Sequence, residues 1–265
     1  VGRGASPRPG AAEPQRPIVW LDEALRAWIA KADREDSVRV LSGDPGAGKS
    51  SACAMLAADL ARQGRRVLLV PLGRLDYHDD PWAELSRFAR EELGHDALEE
   101  LRAATAAATA EPLVLILDGL DELARAGQGT AEIVRDFANS LERRVLEVNR
   151  NGPRLLLLLA GRPGGANATD GIARAEHTRL DALRYVLFDW EKDGFADGSL
   201  KNLDQRADWW RRFDPSRGMP TVLAEEDRRL GDLTAQPLLN WLLAQVLTLE
   251  GVEKAAAIAG VHDLY

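Results

Sequence analysis

The densest chemistry in this chain lies in eight consecutive residues, Gly43-Asp44-Pro45-Gly46-Ala47-Gly48-Lys49-Ser50, which fit the spacing G-x-x-x-x-G-K-[ST]. Glycines let a loop curl until its backbone N–H groups converge on an anion. The run Val38 to Leu41 before the loop reads as a short buried strand, and Lys49 to Gln63 after it reads as a helix rich in Ala and Leu. That helix would aim its positive N-terminal end at the same anion. The pattern suits the phosphates of a nucleoside triphosphate. Lys49 would reach the β- and γ-phosphates, Ser50 would offer its hydroxyl to Mg²⁺, and Ser51 follows in the same turn.

A second group is acidic. Leu113 to Leu117 is wholly aliphatic and runs into Asp118-Gly119-Leu120-Asp121-Glu122. An acid at the tip of a buried strand lies on the carboxyl edge of a parallel sheet, where ligands of such sheets bind. Asp118 is the candidate for Mg²⁺, mostly through water, and either Asp121 or Glu122 could polarise an attacking water. Alone, this stretch could be an acidic turn capping the next helix. The upstream glycine loop is what gives it a metal and a phosphate.

The elements that must position these residues alternate. Helical spacing is read for Leu21 to Lys31, strands for Arg66 to Leu72, Arg154 to Ala160 and more weakly Thr178 to Leu183, and helices for Pro81 to Leu93, Ala97 to Ala108 and Thr130 to Asn149. Such alternation implies an α/β fold, a three-layer sandwich with a parallel central sheet. Beyond about Tyr185 acidic and aromatic residues mix, and Leu223 to Leu249 has a helical pattern. The expected organisation is a disordered linker over 1–17, a nucleotide-binding domain over 18–184 and a helical subdomain over 185–265.

The glycine loop together with Asp118-Gly119-Leu120-Asp121-Glu122-Leu123 resembles the NACHT branch of the signal-transduction ATPases with numerous domains, whose core is similar to that of AAA+ ATPases. The resemblance covers roughly residues 16 to 250 and implies a P-loop ATPase core with a helical lid. It also implies that Arg162, in Gly161-Arg162-Pro163 after the fourth core strand, contacts the γ-phosphate as a sensor. Pro237, in Leu233-Thr234-Ala235-Gln236-Pro237-Leu238-Leu239, corresponds to the lid proline that packs over the nucleotide. Arg16 to Trp20 lie where such proteins often clasp the base. Members of the family act as slow switches, closed with ADP and self-associating with ATP, in signalling or defence. A continuously cycling AAA+ motor is the competing expectation. The usual flanking sensor and effector domains would lie outside these residues.

Bulk properties limit the alternatives. The chain of 265 residues carries a net charge of −8, which gives no general attraction to nucleic acid or anionic membrane. Apolar residues make up 45% and charged residues 29%, as in soluble globular proteins, and no apolar run approaches membrane-spanning length. Cys53 is the sole cysteine, expected to be small and buried, which fits the reducing cytosol. The chain starts with Val, which suggests a processed or excised piece. His78, His95, His177 and His262 share no metal-like spacing. Trp209 and Trp210 are expected in the lid core with one ring partly exposed. No Asn/Thr-Lys-x-Asp loop of guanine-specific proteins is present, which favours ATP and ADP as the nucleotides.

Overall fold

The computed structural model describes residues 16–31, 33–75, 80–94, 98, 111–126, 131–169, 179–192, 194–196, 198–216, 218–220, 223 and 228–251. The linker before residue 16 and all four histidines lie outside the described residues. So does the helix expected over 97–108, apart from Leu98, which is helical and buried.

Strands β1 (Val38–Ser42), β2 (Val67–Pro71), β3 (Leu113–Asp118), β4 (Leu155–Gly161) and β5 (Arg179–Asp181) pair in parallel in the order β2-β3-β4-β1-β5. Continuous aliphatic strands need cover on both faces, and β3 and β4 receive it by strict alternation. Leu113, Leu115, Leu117, Leu155, Leu157 and Leu159 face one core, and Val114, Ile116, Leu156, Leu158 and Ala160 face the other. The second core is covered by α1 (Leu21–Lys31) and α2 (Lys49–Arg62), through Leu25, Trp28, Ile29, Cys53, Leu56 and Leu60. The first is covered by α3 (Pro81–Leu93), α4 (Leu120–Ala126) and α5 (Ala131–Val148), through Trp82, Leu85, Phe88, Leu120, Val134, Phe137 and Leu141. This is the expected three-layer α/β architecture.

The start of β4 is fixed by a buried polar side chain. Asn149 Oδ1 accepts from the N–H groups of Arg154 and Leu155 at 2.8 and 2.9 Å, and Asn149 Nδ2 donates to Leu155 O at 2.8 Å. Its side chain therefore substitutes for ladder partners at the strand's entry.

Some elements depart from expectation. Two short helices follow strands directly: α4 after β3, and α6 (Pro163–Asn167) after β4. The helical pattern over Leu223 to Leu249 is broken at Gln236, whose backbone is extended (φ −89°, ψ 129°). Pro237 excludes its predecessor from the α region and has no N–H to donate, so it opens a new helix instead of continuing the old one. The result is α8 (Arg228–Ala235) followed by α9 (Pro237–Glu250). With α7 (Arg206–Phe213) they form a separate apolar cluster around Trp210, Leu230, Leu233, Leu239, Leu243 and Leu247. Trp210 is buried and donates from Nε1 to Asn240 Oδ1 at 3.0 Å, while Trp209 is half-buried and stacks on Phe213 with centroids 5.0 Å apart.

Candidate functional site

In-register pairing brings the carboxyl ends of the strands to one edge. Ser42 lies opposite Gly161 on one side and Asp181 on the other, Asp118 lies opposite Ala160, and Pro71 lies opposite Asp118. Strands are about 4.8 Å apart. The β3 tip, with β4 between, thus stands about 10 Å from the loop that leaves β1.

That loop, Gly43 to Gly48, is shaped by its glycines in two different ways. Gly48 has φ +85° with nothing within 4 Å of where a Cβ would sit, so backbone conformation alone requires glycine there. Gly46 also has positive φ, and a Cβ on it would fall 2.9 Å from Leu238 Cβ. Gly43 is constrained by space, since its Cβ would lie 2.9 Å from Ala182 Cβ. Lys49 opens α2 and folds back over the loop, with Nζ donating to Gly43 O at 2.7 Å and to Asp44 O at 3.0 Å. Burial lowers the Lys49 ammonium from its ordinary pKa, partly offset by the negative charges of Asp121 and Asp118. Ser50 and Ser51 stand exposed on the first turn of α2. Pro45 and Ala47 complete the curl, which is closed by Ala47 N–H to Asp44 O at 3.1 Å.

The acidic group divides. Asp118 is half-buried at the end of β3, and no hydrogen-bond partner among the described residues engages its carboxylate. Among the described residues no cluster of three or more His, Cys, Asp or Glu could hold a metal. One carboxylate with the Ser50 hydroxyl is nevertheless a donor set that fits Mg²⁺, which keeps much of its shell as water and phosphate. Asp121 and Glu122 are neighbours in the first turn of α4 and therefore point about 100° apart. Asp121 turns toward β4. Its Oδ2 is 2.9 Å from Arg162 Nε, and its Oδ1 accepts from the Arg162 backbone N–H at 3.2 Å. Glu122 turns toward β2, where its carboxylate lies against the bare Cα atoms of Gly73 and Gly119. A Cβ on Gly73 would collide with Glu122 Oε2.

The residue after Pro237 reaches the loop from the start of α9. Leu238 N–H donates to Gly46 O at 3.1 Å, and the Leu238 side chain occupies the space that Gly46 leaves. Sequence reasoning singled out Pro237 and missed Leu238. The signal was present in the helix start, because the second residue of a helix has an N–H that the helix cannot use. Ala182 and Tyr185 were missed as well. Ala182 N–H donates to Ser42 O at 2.7 Å beside Gly43, and Tyr185 N–H donates to Ala235 O at 2.8 Å, just before the turn into α9. Of the segment expected near the base, Arg16 to Trp20, Arg16 lies beside β5. Arg16 pairs through its backbone with Gly194 and Ala196, and its side chain reaches Asp181 at 3.3 Å.

Cys53 is buried as expected, and burial pushes its thiol pKa up to about 12. No helix among the described residues is long and apolar enough to cross a membrane.

The family model of an AAA domain matches residues 32–167. No curated protein matches the sequence. Among solved structures, the Aeropyrum pernix ORC1 protein in complex with DNA is 13% identical with a TM-score of 0.46, over 92% of this chain and 62% of that one. Cdc6p from Pyrobaculum aerophilum is 19% identical with a TM-score of 0.39, over 66% and 45%. The Aeropyrum pernix ORC2 protein in its ADP form is 12% identical with a TM-score of 0.48, over 92% and 66%. This chain therefore spans less than two thirds of the length of each of these three proteins.

Proposed function

The chain belongs to the AAA-domain family of P-loop ATPases, and on that premise we propose that it is a NACHT-type switch, binding ATP, hydrolysing it slowly and coupling nucleotide state to self-association. Residues 18–184 form the nucleotide-binding domain and 185–265 the lid. Gly43, Asp44, Pro45, Gly46, Ala47, Gly48 and Ser51 surround the phosphates. Lys49 exchanges the carbonyls of Gly43 and Asp44 for the β- and γ-phosphates. Ser50 and Asp118 are the residues that would hold Mg²⁺, which supplies charge neutralisation between phosphates. One of the two α4 carboxylates, Asp121 or Glu122, serves the water, and Arg162 faces the γ-phosphate.

The observation that carries the switch reading is the bond from Leu238 N–H to Gly46 O. It ties the first turn of the lid helix to the middle of the phosphate loop, next to Pro237. A loop that must open its N–H groups to a triphosphate cannot move without loading that contact, so occupancy and lid position are linked.

The test combines turnover with sizing of the protein in ADP, ATP and a non-hydrolysable ATP analogue. Turnover well below the ~10 s⁻¹ median of enzymes, together with larger assemblies in the triphosphate state, is the expected result. Fast steady hydrolysis by an assembly whose size ignores the nucleotide would favour the motor reading instead.

A further inference from the structure

We propose that Asp121 is a positioning residue that holds Arg162 in place and takes no part in activating water, which leaves that task to Glu122. The proposal rests on reading the strand tips as a triphosphate site.

Both oxygens of Asp121 are committed to one neighbour. Oδ1 accepts from the Arg162 backbone N–H at 3.2 Å, and Oδ2 forms an ion pair with Arg162 Nε at 2.9 Å. A carboxylate with both oxygens engaged by one arginine is poorly placed to accept a proton from water. The guanidinium, by contrast, is held from its inner edge. Among the described residues no hydrogen bond engages either Nη group, so the outer end of the guanidinium keeps donors for a ligand. The side chain of Arg162 stays 41% exposed while that of Asp121 is only 21% exposed, so the pair presents its cationic end outward.

The backbone around Arg162 is fixed by independent means. Pro163 follows it and holds it extended at φ −72°, ψ 162°. Gly161 lets the turn press on α4, since a Cβ there would lie 2.8 Å from Leu120 Cβ. The β3–α4 and β4–α6 turns are therefore packed as one unit, with Asp121 as the polar bolt between them. The Glu122 carboxylate is directed to the side of β2. It rests in the notch made by Gly73 and Gly119, exposed and with no ion pair among the described residues. Neighbouring positions on one short helix cannot face the same point, so these two acids divide the work between β4 and β2.

The experiment compares Asp121→Asn, Arg162→Ala, Glu122→Gln and the double variant Asp121→Asn with Arg162→Ala. Three readouts are used: turnover, affinity for a non-hydrolysable ATP analogue, and affinity for ADP. Asparagine keeps the acceptor for the Arg162 N–H and keeps the shape. Asp121→Asn is expected to lower the preference for triphosphate over diphosphate by about tenfold, as one misplaced charge-assisted contact does. It should add nothing in the Arg162→Ala background, and it should keep turnover that Glu122→Gln removes. Loss of turnover of the same size with and without Arg162, at unchanged triphosphate preference, would overturn the proposal. Lys49→Ala serves as the control for the site. If that variant still binds triphosphate tightly, the site reading itself fails and the assignment of Asp121 falls with it.

Discussion

The sheet and the C-terminal helical cluster bury apolar residues by different means, and their chemistry follows from that difference. In the sheet, β3 and β4 are covered on both faces, and every residue of β4 is buried. Its polar groups are pushed to the strand ends, where Asp118, Asp121, Arg162 and Lys49 lie together. The helical cluster has one core around Trp210 and Leu243, and polar bonds run through its middle. Trp210 meets Asn240 there, and Arg206 donates to Thr234 Oγ1 at 3.0 Å. Between the two regions runs a seam marked by the backbone hydrogen bond from Leu238 to Gly46. A closely packed sheet holds reactive groups within tenths of an ångström. A thin seam can be made and broken at small cost, which suits a reporter.

The largest effect should come from the sheet edge. Glu122→Gln is expected to cut turnover about a hundredfold or more, the usual contribution of a general base, while ATP binding persists. Measured kcat close to that of the unmodified protein would remove Glu122 from the chemistry. A pair of core truncations then asks whether the two regions melt separately. Leu157→Ala in the sheet and Leu243→Ala in the cluster both remove fully buried side chains, each at a cost of about 2–5 kcal/mol. Calorimetry should resolve two transitions. Leu157→Ala should lower the one that nucleotide raises, and Leu243→Ala the other. A single transition, moved equally by both variants, would merge the regions into one cooperative unit and end the comparison.

Lys49→Ala tests the loop that both regions touch. Loss of a direct contact between ammonium and phosphate costs about 1.5–3 kcal/mol, roughly ten- to 150-fold in affinity for triphosphate, read by titration calorimetry. ADP binding should fall less, because it lacks the γ-phosphate that Lys49 would meet. Undiminished ATP affinity would refute the phosphate role of the loop.

The sheet was legible because its signals are local. Aliphatic runs of strand length, with glycines and acids at their ends, predict β3 and β4 and the tips they carry. The loop was legible because Gly48 needs a positive φ that few other residues adopt. What sequence alone left open was side-chain direction. Asp121 and Glu122 are adjacent in sequence and chemically alike, so only the placement of α4 separates the one facing Arg162 from the one facing Gly73. The same limit hid Leu238. Its partner, Gly46, lies 192 residues away, and its contact is made by a backbone group that every residue except proline possesses. The break between α8 and α9 was carried by Pro237, but a strong apolar pattern on both sides masked it.

The seam itself gives the smallest and most specific prediction. Leu238 is the second residue of α9, and a helix offers no acceptor to the N–H groups of its first turn. Gly46 O is the partner the structure provides for it. Exchange of the Leu238 amide with deuterium therefore measures docking of the lid on the phosphate loop, free of the helix's own hydrogen bonding. If the lid reads the nucleotide, protection at Leu238 should differ between ADP and a non-hydrolysable ATP analogue, while amides in the middle of α9 stay unchanged. Pro237→Ala sharpens the measurement. Proline at the first helical position restricts the undocked chain, and its removal costs about 0.4–1 kcal/mol, so docking should weaken by roughly two- to fivefold. Protection at Leu238 should fall by that factor, with turnover nearly constant. Equal protection in ADP, in the analogue and without nucleotide would mean that the seam is a static joint, and the coupling between cradle and lid would have to run elsewhere.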